Sequence, residues 1–155
     1  MIQLNLELTI DAKQLDPDMR EQLSQFHNNP TVMALFELGT LYEQRGYEDV
    51  AMMAYEKLYK EASHFTPAKV ELADLYFKKG RFSEAKEMYY ELIEENKTFE
   101  QDQMIHNLGI IAWKEGNTTE AIKLWKRVIS EFPGFTVSYD ALIAEAREKG
   151  DLQKV

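Results

Sequence analysis

The chain contains no cysteine. Without thiols it can hold no disulfide, no thiolate zinc site and no Cys nucleophile, and such a composition suits a reducing compartment. Glycine and proline are scarce, at seven and four in 155 residues. Long stretches therefore run without a helix breaker, which favours helix over a turn-rich β fold. No window of about 18 uncharged apolar residues occurs, so no segment is suited to span a bilayer. The first ten residues, MIQLNLELTI, lack the basic start and unbroken apolar core of a signal peptide. A cytoplasmic protein is expected.

Basic charge is also short, with 18 Lys and Arg against 27 Asp and Glu and a formal net charge of −9. Binding to phosphate backbones or anionic headgroups depends on Lys and Arg displacing counterions. Neither nucleic acid nor a membrane is expected as a partner. Catalytic and metal signatures are missing too. His27, His64 and His106 fall in three different structural units, and there is no glycine-rich phosphate loop, nucleophile elbow or HExxH. Glu84-Glu87 and Glu91-Glu94-Glu95 follow no EF-hand spacing and read as solvated helix faces. No enzyme activity, cofactor or metal site is expected.

What is present is repetition. Gly46-Ala51-Tyr55, Gly80-Ala85-Tyr89 and Gly116-Ala121-Trp125 share one spacing, the first two 34 residues apart and the next two 36 apart. Leu38-Gly39, Leu72-Ala73 and Leu108-Gly109 precede them at the same intervals, and Leu142 with Gly150 begins a fourth, half copy. Within each copy the apolar residues recur at three and four, as in Leu35, Leu38 and Tyr42, then Met52, Tyr55 and Leu58. Each copy thus reads as two helices reversing at a glycine free to take positive φ. Pro67 suits the first turn of its helix, and Pro133 falls where it would stop one. An apolar fraction of 45% supplies a continuous core.

These residues resemble the tetratricopeptide repeat family, whose pattern runs Leu-Gly, Tyr, Ala, an aromatic and often a closing Pro over about 34 residues. Leu38, Gly39, Tyr42, Ala51 and Tyr55 match in the first copy, and Leu72, Ala73, Tyr76, Ala85 and Tyr89 in the second. In the third, Leu108, Gly109, Ala121, Trp125 and Pro133 match, but Ala112 replaces the usual Tyr. Lys69 stands in the second copy where Leu35 and Ile105 place a large apolar residue. The resemblance implies an all-α, right-handed superhelical array of about three hairpins with an N-terminal helix and a C-terminal capping helix. The expected repeats are 31–65, 66–101 and 102–135, with a half repeat at 136–150, in one domain over 16–155. Two extra residues between 96 and 103 should lengthen that turn and change the superhelical pitch. Asp140, Glu145, Arg147, Glu148 and Lys149 are expected to give helix 136–149 the polar outer face of a cap, rather than the cut edge of a longer array.

Outside the repeats, Asp16-Pro17-Asp18 is a strong helix start, and Leu15, Met19, Leu23 and Phe26 share one face. In segment 1–15, Ile2, Leu4, Leu6, Leu8 and Ile10 alternate with polar residues. That is a strand pattern which a lone strand cannot satisfy. It is either a loose tail or an edge that pairs, with the same segment of a second chain to make a homodimer through residues 2–10 or with a partner's sheet edge.

By the same resemblance, the first helix of each hairpin lines a concave groove that holds a partner polypeptide. The groove positions would be Met33, Phe36, Glu37, Thr40 and Glu43, then Val70, Glu71, Asp74 and Phe77, then His106, Asn107, Ile110 and Trp113. Family members that grip acidic C-termini use Lys, Arg and Asn there, because a desolvated carboxylate must be paired. Here only Asn107 matches. Aromatic and acidic positions together suit an apolar or basic segment. The expected function is a non-catalytic interaction scaffold or adaptor. The alternatives are a homo-oligomeric assembly element and a small secretion-type chaperone, the latter also acidic and of similar length.

Overall fold

A computed structural model describes residue 4 and residues 14–96 and 100–148. The described residues form helices and connecting turns: α1 (Pro17–Asn28), α2 (Val32–Gln44), α3 (Glu48–Glu61), α4 (Thr66–Lys78), α5 (Phe82–Glu95), α6 (Gln101–Lys114), α7 (Thr118–Glu131) and α8 (Val137–Glu148). The fold is an all-α helical repeat, as the periodicity requires. It divides into two compact units, Met1–Arg81 and Phe82–Val155, with the division falling inside the second hairpin. The alternating segment 2–10 lies outside the described residues except for Leu4, which is buried.

In the first unit, α1 starts where its acids predict. The Asp16 carboxylate accepts the Met19 N–H at 2.9 Å and the Arg45 guanidinium at 2.6 Å, and Pro17 occupies the first turn. Those two partners, the backbone N–H first, hold the Asp16 carboxyl below the usual carboxylate range. Leu15, Met19 and Phe26 turn inward, and Leu23 is half-buried. The core beneath them is Leu35, Leu38, Tyr42, Ala51, Ala54, Tyr55 and Leu58, none of which keeps measurable solvent exposure. Gly39 is there because of close approach. A Cβ on it would stand 2.8 Å from Tyr55 Cε1 and 3.2 Å from Ala54 Cβ.

Three helix ends are built alike. Tyr47 N–H reaches Tyr42 O and Gly46 N–H reaches Glu43 O, a double closure that requires a left-handed residue at Gly46 (φ 87°). Arg81 with Tyr76 and Gly80 with Phe77 repeat it, as do Asn117 with Ala112 and Gly116 with Trp113. The repeat's glycine is thus fixed by how a helix disposes of its last carbonyls.

One of the two extra residues falls within a helix. Helix α6 has 14 residues against 13 in α4, and residues 97–99 of the stretch before it lie outside the described residues.

The second unit packs around Ala85, Tyr89, Ile105, Ile111, Ala121 and Val128. Gly109 admits the indole of Trp125, whose Nε1–H donates to the His106 carbonyl at 3.2 Å. In α8, Ser138, Leu142 and Glu145 are buried, and their spacing of four and three places them on one inward stripe. Glu145 therefore does not belong to the polar outer face expected of it. Asp140, Arg147 and Glu148 are exposed, and Lys149 lies outside the described residues.

Candidate functional site

The expected groove residues sort into an open set and a buried set. On α2, the Phe36 ring is half-buried, edge-on to Phe65 at 5.3 Å between centroids and tilted against Tyr55 at 6.0 Å. Tyr55 O–H donates to Glu43 Oε2 at 2.9 Å, with Thr40 Oγ1 at 3.4 Å, while Thr40 Oγ1–H donates back to the Phe36 carbonyl at 3.0 Å. Burial, reinforced by the charges of Glu43 and Glu71, pushes the Tyr55 phenol well above its ordinary range. It stays a neutral donor, and Glu43 is held as its acceptor. Glu37 is exposed beside this cluster.

The α2 face opens into a cleft of about 430 Å3 against α1, lined by Gln22, Met33, Phe36, Glu37, Thr40, Leu41 and Gln44. Met33 is 51% exposed, a large apolar side chain left in solvent at the cleft. On α4, Val70, Glu71, Asp74 and Phe77 are half-buried and fall at helical spacing on one side.

On α6 the outcome differs. His106 and Asn107 are buried, not open. His106 Nδ1 lies 2.9 Å from Ser138 Oγ, with its ring against Phe135 and Trp125. Asn107 Nδ2–H donates to the Tyr89 hydroxyl at 3.0 Å. Both are internal polar links of the second unit, and burial holds the His106 imidazole below its ordinary range. Ile110 is half-buried, and Trp113 remains 37% exposed while its Nε1–H donates to Glu145 Oε2 at 2.9 Å.

Sequence reasoning missed the part played by α8. Ala141, Ala144, Glu145 and Glu148 recur at three, one and three, and with Ile110, Trp113 and Trp125 they enclose a pocket of about 180 Å3. Lys69, the polar residue at an apolar repeat position, is buried with its ammonium 6.0 Å from the Tyr59 ring centre. Among the described residues no cluster of three or more His, Asp and Glu side chains is placed to hold a metal ion. None of the described helices is long and apolar enough to cross a membrane.

Comparison with known families rests on the same hairpins. Residues 47–106 and residues 105–134 each match a tetratricopeptide repeat, and together they take in more than half of the chain. The chain belongs to the tetratricopeptide repeat family. Among solved structures it is similar to MamA, with a TM-score of 0.74 and 22% identity over 88% of this chain and 78% of that one. A second MamA protein structure gives 0.74 and 21%, covering 88% and 74%. YrrB, titled a TPR protein with an unusual peptide-binding site, gives 0.62 and 16%, covering 77% and 61%. At these identities the likeness is one of fold. No match was found among curated proteins. In tetratricopeptide terms, Gly39 facing Tyr55 and Gly109 facing Trp125 are the small-against-aromatic contacts that close the hairpins α2–α3 and α6–α7. Such repeats are generally a protein-interaction fold.

Proposed function

We propose that the protein is a non-catalytic scaffold or adaptor that holds an apolar or basic segment of a partner polypeptide against the open face of α2. The observation that carries this is the cleft between α1 and α2, which leaves Met33 half in solvent and sets Phe36 and the carboxylate-bearing Glu37 in the same lining. An apolar floor with acidic sides suits a segment whose Leu, Met or aromatic side chains anchor it while Lys or Arg meet the rim. A net charge of −9 favours such a partner and speeds its approach. The peptide-binding site named for YrrB, a chain of similar fold, lends support.

The test is capture from native cell extract by wild type and by a Met33→Glu/Phe36→Glu variant, with helix content checked by circular dichroism. Loss of one captured polypeptide in the folded variant, followed by direct binding of that purified polypeptide to wild type alone, supports the reading. Equal capture by both variants sinks it. The assembly reading would then be tested by deleting residues 2–10 and measuring mass in solution.

A further inference from the structure

The pocket formed by α6, α7 and α8 belongs to the second unit and differs in character from the α2 face. Its volume of about 180 Å3 is well below what a drug-sized ligand occupies, roughly 300 Å3 or more. It is close to the roughly 150 Å3 cavity that accommodates one benzene. That is room for one side chain.

The walls are apolar and are made by design of residue size. Ala141 and Ala144 are the small residues that leave space between α8 and α6, and Ile110 and the Trp113 ring form the opposite wall. Carboxylates occur along one line only, at Glu145 and Glu148, one turn apart on α8. Glu145 is fixed by the Trp113 indole N–H at 2.9 Å. Glu148 is exposed and has no ion-pair partner among the described residues. No cationic residue lines the pocket.

From this geometry we infer that the pocket receives a single Lys or Arg side chain of a partner polypeptide, its methylene stem against Ile110, Ala141, Ala144 and the Trp113 face, its charge at Glu148 and Glu145. A long basic side chain buries its stem along apolar surface while its head stays at the wet edge, which is the division of surfaces seen here. An indole face beside the head adds a cation–π attraction. A Leu or Met would fill the walls but leave the Glu148 carboxylate unanswered, and an acidic side chain would meet two like charges. The inference rests on the protein being a polypeptide-binding scaffold, and adds the residue type that this part of its surface selects.

The experiment is a nitrogen–proton NMR titration of the full-length chain with Nα-acetyl-lysine N-methylamide. The Trp113 indole signal is assigned by its loss in Trp113→Phe. The expected result is a saturable shift of that signal at millimolar probe, weakened by added salt because the contact is partly exposed charge pairing. The norleucine analogue, with the same stem and no ammonium, should bind several-fold less. Glu148→Gln should weaken the lysine probe about two- to fivefold. Ala144→Leu, at an exposed helical position, should abolish the shift with circular dichroism unchanged. The inference is overturned if no saturable shift occurs, if norleucine binds as well as lysine, or if folded Ala144→Leu binds as wild type does. Met33→Glu/Phe36→Glu leaves α8 untouched, so failure here with α2-dependent capture intact would remove the pocket and keep the scaffold reading.

Discussion

Gly109 lies against the indole of Trp125 so closely that a Cβ built on it would overlap the ring's Nε1 and Cδ1. The indole cannot easily yield, because it is buried and its Nε1–H is tied to the His106 carbonyl. Two effects compete in Gly109→Ala. Helix propensity favours Ala by about 1 kcal/mol, while forcing extra volume into a packed site costs about 1–3 kcal/mol or more. Overlap should win, lowering the melting temperature by several degrees in a scanning calorimeter. A variant at or above wild type would show that the Trp125 contact relaxes freely.

Tyr42 presents the reverse case. Its ring is wholly buried, and its hydroxyl has no hydrogen-bond partner among the described residues. Burial also raises its phenol above the ordinary range. A buried hydroxyl without a partner costs about 1–3 kcal/mol. Tyr42→Phe keeps the ring and removes that cost, so urea unfolding should show a higher midpoint at unchanged slope. A lower midpoint would mean that the hydroxyl is satisfied.

Gly46, Gly80 and Gly116 carry φ of 87°, 77° and 84° with open space where a Cβ would stand. Replacing any of them by Ala therefore costs only backbone conformation, about 1–2 kcal/mol each. The three sites are independent turns, so the triple variant should lose nearly the sum. Asn, which tolerates the left-handed region better, should cost less at each site. Equal losses for Ala and Asn would argue against a conformational origin.

His106 gives the pH dependence a sign. Burial lowers its folded pKa below the unfolded value of about 6.5. Its stabilising contribution is therefore complete above that value and is lost as pH falls toward the folded pKa, where the unfolded chain has taken up the proton first. His106→Gln retains a polar partner for Ser138 without that titration. The stability gap between wild type and variant should narrow as pH drops from 7 to 5. A gap that widens would place a cation acceptor beside the imidazole.

Most of the fold was legible because helix hairpins write their geometry locally. The 34-residue recurrence of Gly, Ala and aromatic positions marks turns and close approaches that depend on residues a few places away, and Gly46, Gly80 and Gly116 fall at the predicted turns. The site was less legible. The family resemblance assigned His106 and Asn107 to an open face, yet Ser138 and Tyr89 hold them inside. Glu145 read as part of a polar cap, but the indole N–H of Trp113 draws it inward.

By itself, then, the sequence determined the helices, their glycine-closed ends and the small-against-aromatic contacts at Gly39 and Gly109. Each follows from backbone chemistry or side-chain size within one hairpin. Tertiary structure alone decided which polar groups are buried and where two alanines of α8 leave a space beside Trp113. Those outcomes depend on pairings about 18 to 32 residues apart, such as Asn107 with Tyr89 and Glu145 with Trp113. An amphipathic period records only that a residue has an inside and an outside, and the packed neighbour settles which of the two it takes.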